Sequence, residues 1–132
     1  MNVFLELMRY KNCAMAGLAA VIGSSIAYSA APHELSEIIL LIPVFITVFL
    51  ITGAGNAIND YFDASIDAVN RPERPIPSGR LTKGSVYKFS ILLFACGILI
   101  AYFIGTIPLV IALFNSMLLY VYAFSLKRKV QR

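Results

Sequence analysis

One stretch dominates the sequence: Gly55-Asn56-Ala57-Ile58-Asn59-Asp60-Tyr61-Phe62-Asp63-Ala64-Ser65-Ile66-Asp67. In a helix each residue turns by about 100°, so the oxygen-bearing side chains of this stretch share one arc of about 100°. These side chains are Asn56, Asn59, Asp60, Asp63 and Asp67. Carboxylates one turn apart repel one another, so the pattern predicts a cation in front of them. Their hard oxygen atoms suit Mg²⁺, which keeps bound waters and usually also holds substrate phosphate.

The composition around this stretch is that of a membrane protein. Of the 132 residues, 59% are hydrophobic and 14% are charged, and the mean hydropathy is +0.79. A soluble chain of this size could not bury so much apolar surface. The net charge of +4 is unevenly spread along the chain, which argues against nucleic acid as a partner.

Four apolar stretches are long enough to cross a bilayer, which takes about 20 residues each. The sequence predicts transmembrane helices at about 14–31, 38–58, 87–105 and 108–124, with a loop at about 60–86. The predicted fold class is therefore all-α, a polytopic bundle of membrane helices.

The basic residues lie on one side of the predicted spans. All 11 Lys and Arg precede the first span, follow the fourth, or lie between the second and third. The connection between the first two spans carries His33, Glu34 and Glu37 instead. By the positive-inside rule, both ends of the chain and the loop at 60–86 should face the cytoplasm.

A stiff basic loop follows the acidic stretch and begins Asn70-Arg71-Pro72-Glu73-Arg74-Pro75-Ile76-Pro77-Ser78-Gly79-Arg80. Its prolines stop the helix and restrict the backbone. Guanidinium groups bind phosphate with a planar fork. A metal-bridged diphosphate would need this combination, with Mg²⁺ on the carboxylates and arginine on the free oxygens.

The motifs resemble those of the UbiA superfamily of intramembrane aromatic prenyltransferases and their relatives. The segment from Asn59 to Asp67 matches its N-D-x-x-D-x-x-x-D signature. The segment from Arg71 to Gly79 resembles the R-P-x-R-P-x-P-S-G loop of that family. The closing segment from Tyr122 to Arg128 resembles its Y-x-x-x-L-K-R pattern. The opening residues and the Asn-Arg-Pro-Glu-Arg-Pro run look most like the archaeal branch, which makes ether lipids.

This resemblance implies a bundle of about nine helices with two aspartate motifs facing a central cavity. The sequence holds the first motif and four predicted spans, and no second D-x-x-x-D. Residues 1–132 are therefore expected to be the N-terminal part of an intramembrane prenyltransferase domain, with the remaining C-terminal half as a partner.

The resemblance also assigns residues to roles. It implies metal binding, with Mg²⁺ as cofactor, at Asn59, Asp63 and Asp67, a supporting place in that metal site for Asp60, and catalytic roles for Asp63 and Asp67. Its expected phosphate-binding and diphosphate-binding residues are Arg71, Arg74, Lys127, Arg128 and Asn12. Two of these assignments have simpler alternatives, because Lys127 and Arg128 could snorkel at a helix end and Asn12 could be an interfacial polar residue.

For the archaeal branch the resemblance implies transfer of a geranylgeranyl group from its diphosphate to geranylgeranylglyceryl phosphate. The expected partners are an isoprenyl diphosphate donor, a lipid-like acceptor and the membrane. Three alternatives stay open: an aromatic acceptor of the quinone pathway, a small four-helix transporter, and a membrane scaffold without chemistry. The position of the acids at a helix end, beside a basic loop, argues against a transporter.

Overall fold

The computed structural model describes residues 2–30 and 39–130, apart from the side chains of Tyr28 and of residues 126–130. The described residues form helices joined by turns and contain no strand, which confirms the predicted all-α class. The helices are α1 (Val3–Met8), α2 (Tyr10–Ala30), α3 (Leu41–Phe62), α4 (Ala64–Asn70), α5 (Lys83–Ile104) and α6 (Thr106–Val130).

Three of these helices, α3, α5 and α6, are long and apolar enough to cross a membrane. The prediction of four spans is therefore one too high for the described residues. Helix α2 is 21 residues long, but many of its positions carry Gly, Ala or Ser rather than a larger apolar residue. Its length alone would suffice for a bilayer.

Helix α3 lies at the centre of the bundle and packs mainly against α5 and α2, with further contacts to α6 and α1. Small residues allow this close approach. A Cβ atom added to Gly97 of α5 would lie 2.6 Å from Cγ1 of Ile51, closer than real carbon contacts. On α3, Ala54, Ala57 and Ile58 are completely buried. This packing fixes the position of the polar end of α3.

The acidic stretch is not one uninterrupted helix. Helix α3 ends at Phe62, Asp63 has φ −90° and ψ 5°, and α4 begins at Ala64. Backbone hydrogen bonds still run from the Asp63 amide to Asn59 and from the Asp67 amide to Asp63. The predicted loop at 60–86 is accordingly shorter, because helical structure continues to Asn70.

The irregular segment between α4 and α5 runs from 71 to 82. It begins where Pro72 prevents the helix from continuing. It ends at Thr82, whose hydroxyl accepts a hydrogen bond of 3.2 Å from the amide of Ser85 and so caps α5.

Candidate functional site

The junction between α1 and α2 directs a basic side chain toward α3. Arg9 adopts a left-handed backbone conformation with φ 55°, which costs a non-glycine residue about 1–2 kcal/mol. Neighbouring bonds fix the junction: the Asn56 side-chain amide donates to the Met8 carbonyl at 2.8 Å, and the Cys13 thiol donates to the same oxygen at 3.1 Å. These bonds anchor the turn against the bundle.

Asp60 lies where this junction meets the basic loop. It is 4% exposed, and its Oδ1 accepts a hydrogen bond from Nη2 of Arg9 at 2.9 Å. Nη1 of Arg74 lies 3.5 Å from the same oxygen. Burying an unpaired carboxylate is costly, so these two guanidinium groups offset part of the cost of enclosing Asp60 in the fold.

Arg74 also joins a second buried carboxylate. Its Nη1 donates to Oδ2 of Asp67 at 2.9 Å, and Asp67 is 5% exposed. We call Arg9, Asp60, Arg74 and Asp67 the buried network. It joins the α1–α2 junction to the α3–α4 region, 51 residues further along the chain, and to the proline-containing loop that follows α4.

Asp63 is the third carboxylate of the motif and lies outside the buried network. Within the described part of the chain it forms no salt bridge. Partial burial, and next the negative charge of Asp67, raise the pKa of Asp63 above its ordinary value, although Arg74, Arg9 and a hydrogen bond from Asn59 oppose this effect. Asp63 is therefore the carboxylate of this site that would gain most from an added cation.

The donors suit a hard divalent cation by their chemistry, since carboxylate and amide oxygens are its preferred ligands. Over residues 2–30 and 39–130, however, no three Asp, Glu, His or Cys side chains converge into a ready metal-binding group. Asp60 and Asp67 are instead engaged by arginine.

Two cavities open along α3, and the smaller of them reaches the motif. One, of about 300 Å³, is lined by Asn56, Asn59, Thr52, Gly55, Leu119, Tyr122 and Ala123. The other, of about 540 Å³, has a mainly apolar lining and shares Thr52 and Leu119 with the first. Together they connect the polar end of α3 with an apolar space between α3 and α6.

The remaining predicted site residues lie at different places. Asn12 is exposed and lines a recess of about 380 Å³ together with Arg9 and Lys11. Arg71 is exposed at the end of α4. Lys127 and Arg128 belong to the backbone of α6, but their side chains lie outside the described part of the structure.

Two ionic contacts were missed from the sequence. Arg9, which the sequence did not assign to the site, is a member of the buried network. Arg80 forms a two-pronged salt bridge with Glu6, at 2.5 and 2.9 Å, and also donates to the Glu73 carbonyl. Separations of 51 and 74 residues hid both pairs. The local signal for Arg9 was its position just before α2, close to the polar residues at the start of that helix.

Comparison with known proteins finds several similar relatives that share one name. Digeranylgeranylglyceryl phosphate synthase of Methanosarcina mazei is 54% identical over 96% of this chain and 46% of its own length. The protein of the same name from Thermococcus kodakarensis is 43% identical over 96% of this chain and 44% of its own. The chain thus spans about half the length of these curated relatives.

A solved structure agrees with this comparison. It is described as "Structural and mechanistic insights into the biosynthesis of Digeranylgeranylglyceryl phosphate synthase in membranes" and superposes with a TM-score of 0.82 at 39% identity, covering 92% of this chain and 42% of that one. The model of the UbiA prenyltransferase family matches residues 18–131. With three apolar spans and this match over most of its length, the chain is a multi-pass membrane protein that belongs to the UbiA prenyltransferase family.

Proposed function

We propose that this chain is the N-terminal half of an enzyme that transfers a geranylgeranyl group from its diphosphate to geranylgeranylglyceryl phosphate, forming an ether of archaeal membrane lipids. The observation that carries the proposal is Asp63, a carboxylate without a salt bridge in the described residues, which lies within the electrostatic reach of Arg74 and Arg9. Its neighbour Asn59 lines the smaller cavity. We use "complete enzyme" for this chain together with a second helical half that carries the second aspartate motif.

Arg9 and Arg74 are suited to hold the diphosphate of the donor. A guanidinium group has five N–H donors, and the buried network uses one nitrogen of each arginine. The side chains of Arg9 and Arg74 are 37% and 21% exposed, which leaves their other N–H groups accessible to phosphate oxygens. Arg71 lies exposed on the same loop and can add a further contact.

Asn59, Asp63 and Asp67 are the residues that would hold Mg²⁺. When bound, the cation supplies charge neutralisation to the leaving diphosphate. The arginine side chains of this chain add fixed positive charge beside the same leaving diphosphate. This charge stabilises the leaving group most where water is excluded.

The apolar cavity is suited to the isoprenoid chain of the donor. Its apolar lining would keep water away from the allylic carbon. When the C–O bond ionises, pyrophosphate leaves with the bonding electrons, the oxygen of the acceptor hydroxyl bonds to the allylic cation, and the hydroxyl proton passes to the pyrophosphate. Tyr122 lines the smaller cavity, and its ring face can stabilise a nearby positive charge.

The acceptor carries its own phosphate and needs a second basic region. The recess lined by Arg9, Lys11 and Asn12, together with Tyr10 and Glu6, lies next to the buried network and offers such a region, since the charge of Glu6 is paired with Arg80. The charge pattern of the sequence supports a cytoplasmic location for this end of the bundle, for the loop and for both ends of the chain.

The test is prenyl transfer by the complete enzyme with geranylgeranyl diphosphate, geranylgeranylglyceryl phosphate and Mg²⁺. Asp63→Asn should lower kcat by at least about 100-fold, because it removes charge stabilisation at the reacting group. Glu73→Gln makes the same isosteric change at an exposed residue of the loop and should leave the rate unchanged. Near-normal turnover of Asp63→Asn would refute the proposed role.

The acceptor is tested in the same assay. Replacing geranylgeranylglyceryl phosphate with 4-hydroxybenzoate should abolish transfer, because the aromatic acid lacks both the phosphate and the lipid chain. Transfer to the aromatic acid but not to the phospholipid precursor would overturn the proposed acceptor and favour a quinone-pathway enzyme.

A further inference from the structure

We infer that Asp60 is a positioning residue rather than a metal ligand: it holds Arg9 and Arg74 side by side so that both guanidinium groups face the diphosphate. The inference rests on the function proposed above and reassigns one residue of the aspartate motif. It follows from the contacts of Asp60, and these differ from those of Asp63.

Both arginines meet Asp60 at a single oxygen. Oδ1 accepts from Nη2 of Arg9 at 2.9 Å and lies 3.5 Å from Nη1 of Arg74. The side chain of Asp60 is 5% exposed, whereas those of Arg9 and Arg74 are 37% and 21% exposed. The carboxylate is therefore enclosed within the fold, and the outer edges of the two guanidinium groups remain accessible.

A metal ion on Asp60 would conflict with these contacts. Two guanidinium charges already lie within hydrogen-bonding range of Oδ1 of Asp60, whereas Asp67 meets one, at Oδ2. A divalent cation would therefore be repelled by two bonded arginines at Asp60 and by one at Asp67, whose Oδ1 Arg74 does not contact. Asp63 has no such neighbour bonded to its carboxylate within the described residues. Two carboxylates of one motif thus have different surroundings, and these favour arginine at Asp60 and a metal at Asp63.

The two arginines need a common anchor because they come from unrelated segments. Arg9 belongs to the α1–α2 junction, and Arg74 belongs to the loop between α4 and α5. Among these two arginines, Asp67 contacts only Arg74. Asp60 is the described residue that touches both arginines, so it sets their separation. A diphosphate presents oxygens on two phosphorus atoms and is bound best by donors fixed at a matching spacing.

The experiment compares Asp60→Asn with Asp63→Asn in the complete enzyme, with Glu73→Gln as the control. Two quantities are measured: the KM for geranylgeranyl diphosphate and the affinity for Mn²⁺, observed by electron paramagnetic resonance in the absence of turnover. Asp60→Asn should raise the KM by about 10-fold to 100-fold, the range seen when a supporting partner of a ligand-binding group is removed. Its Mn²⁺ affinity should match that of the wild type, whereas Asp63→Asn should weaken Mn²⁺ binding.

A second variant serves if Asp60→Asn does not fold. Arg9→Lys keeps a positive charge beside the buried carboxylate but loses the planar fork of arginine. It should also raise the KM for the diphosphate without changing Mn²⁺ affinity. Thermal melting of each variant, measured in detergent, identifies those that are folded.

Two results would overturn the inference. One is Mn²⁺ binding weakened by Asp60→Asn as strongly as by Asp63→Asn, which would make Asp60 a ligand. The other is a normal KM in folded Asp60→Asn with a lower melting temperature, which would make its role purely structural. Failure of the proposed function has a different signature, since the wild-type complete enzyme would then transfer no prenyl group.

Discussion

Two arginine–carboxylate clusters lie at the same end of the bundle and differ in burial rather than in chemistry. In the buried network, Arg9 and Arg74 contact Asp60 and Asp67, whose side chains are 5% and 7% exposed. In the outer pair, Arg80 contacts Glu6, and these side chains are 42% and 35% exposed. The shortest bonds are similar, at 2.9 Å for Arg9–Asp60 and Arg74–Asp67 and at 2.5 and 2.9 Å for Arg80–Glu6, while Arg74–Asp60 is longer at 3.5 Å.

This difference shows that contact distance alone does not predict what an ion pair contributes. Exposed pairs gain little because water and salt screen them. Removing one partner of a buried pair leaves a charge that water cannot reach, and the fold loses far more. The buried network can therefore position groups for substrate, whereas the outer pair ties α1 to the loop.

The largest stability effect is expected from Arg74→Gln. This change leaves Asp67 without its cation and Asp60 with one cation instead of two. Unfolding free energy should fall by about 2–4 kcal/mol, somewhat below the usual figure for a buried pair because Arg74 is partly exposed. Denaturation of the purified protein in detergent measures it.

Arg80→Gln is the matched control for that variant, because it makes the same substitution in the outer pair. Its denaturation midpoint should stay close to that of the wild type. Equal losses of stability in the two variants would show that burial does not separate the two clusters.

A smaller effect is expected from Asn56→Ala. The variant loses the hydrogen bond to the Met8 carbonyl that fixes the α1–α2 junction beside the buried network. Since the Cys13 thiol still donates to that carbonyl, the loss should be about 1 kcal/mol. Asn12→Ala removes the same amide from an exposed position of α2 and should not alter the denaturation midpoint. An unchanged midpoint in Asn56→Ala would mean that the junction is held by other contacts.

The smallest effect concerns the pH and salt dependence of the outer pair. Hydrogen bonding to Arg80 lowers the pKa of Glu6 below its ordinary value. Glu6 therefore binds its proton less readily when folded, so the stability it contributes is present above the pKa of the unfolded state and is lost as pH falls through the folded-state value. Glu6→Gln should remove this part of the acid dependence, and added NaCl should weaken it in the wild type.

Melting curves of Glu6→Gln and the wild type between pH 3 and pH 7 check this prediction. The description of Glu6–Arg80 as an exposed, screened pair would be contradicted if the two melting temperatures differed by the same amount at every pH. It would also be contradicted if added NaCl did not change that difference.

The helices could be predicted from the sequence because apolar runs of sufficient length identify membrane helices. The predicted spans at 38–58, 87–105 and 108–124 correspond to α3, α5 and α6. The helix predicted at 14–31 corresponds to α2, which is described to Ala30. Its many small residues make it less apolar than α3, α5 and α6. The end of α3 was predicted too early, because Asn59 and Asp60 continue the helix with partners inside the fold.

The partners within the site could not be predicted, because they depend on packing between distant segments. No local pattern places Arg9 on Asp60, or Arg80 on Glu6. Spacing alone put Asn56, Asn59, Asp60, Asp63 and Asp67 on one arc as equivalent candidates. The structure separates them: the Asn56 side chain bonds to a backbone carbonyl, and the carboxylates of Asp60 and Asp67 bond to arginine. The Asp63 carboxylate accepts a hydrogen bond from Asn59 and forms no salt bridge within the described residues.

The most direct test of the account is equilibrium binding of inorganic pyrophosphate to the complete enzyme, measured by calorimetry with Mg²⁺ and with EDTA. The account predicts binding that requires Mg²⁺, is abolished in Asp63→Asn and is weakened in Arg74→Gln. Binding of equal strength in EDTA, or in Asp63→Asn, would contradict the claim that this carboxylate end of α3 holds a diphosphate through a divalent cation.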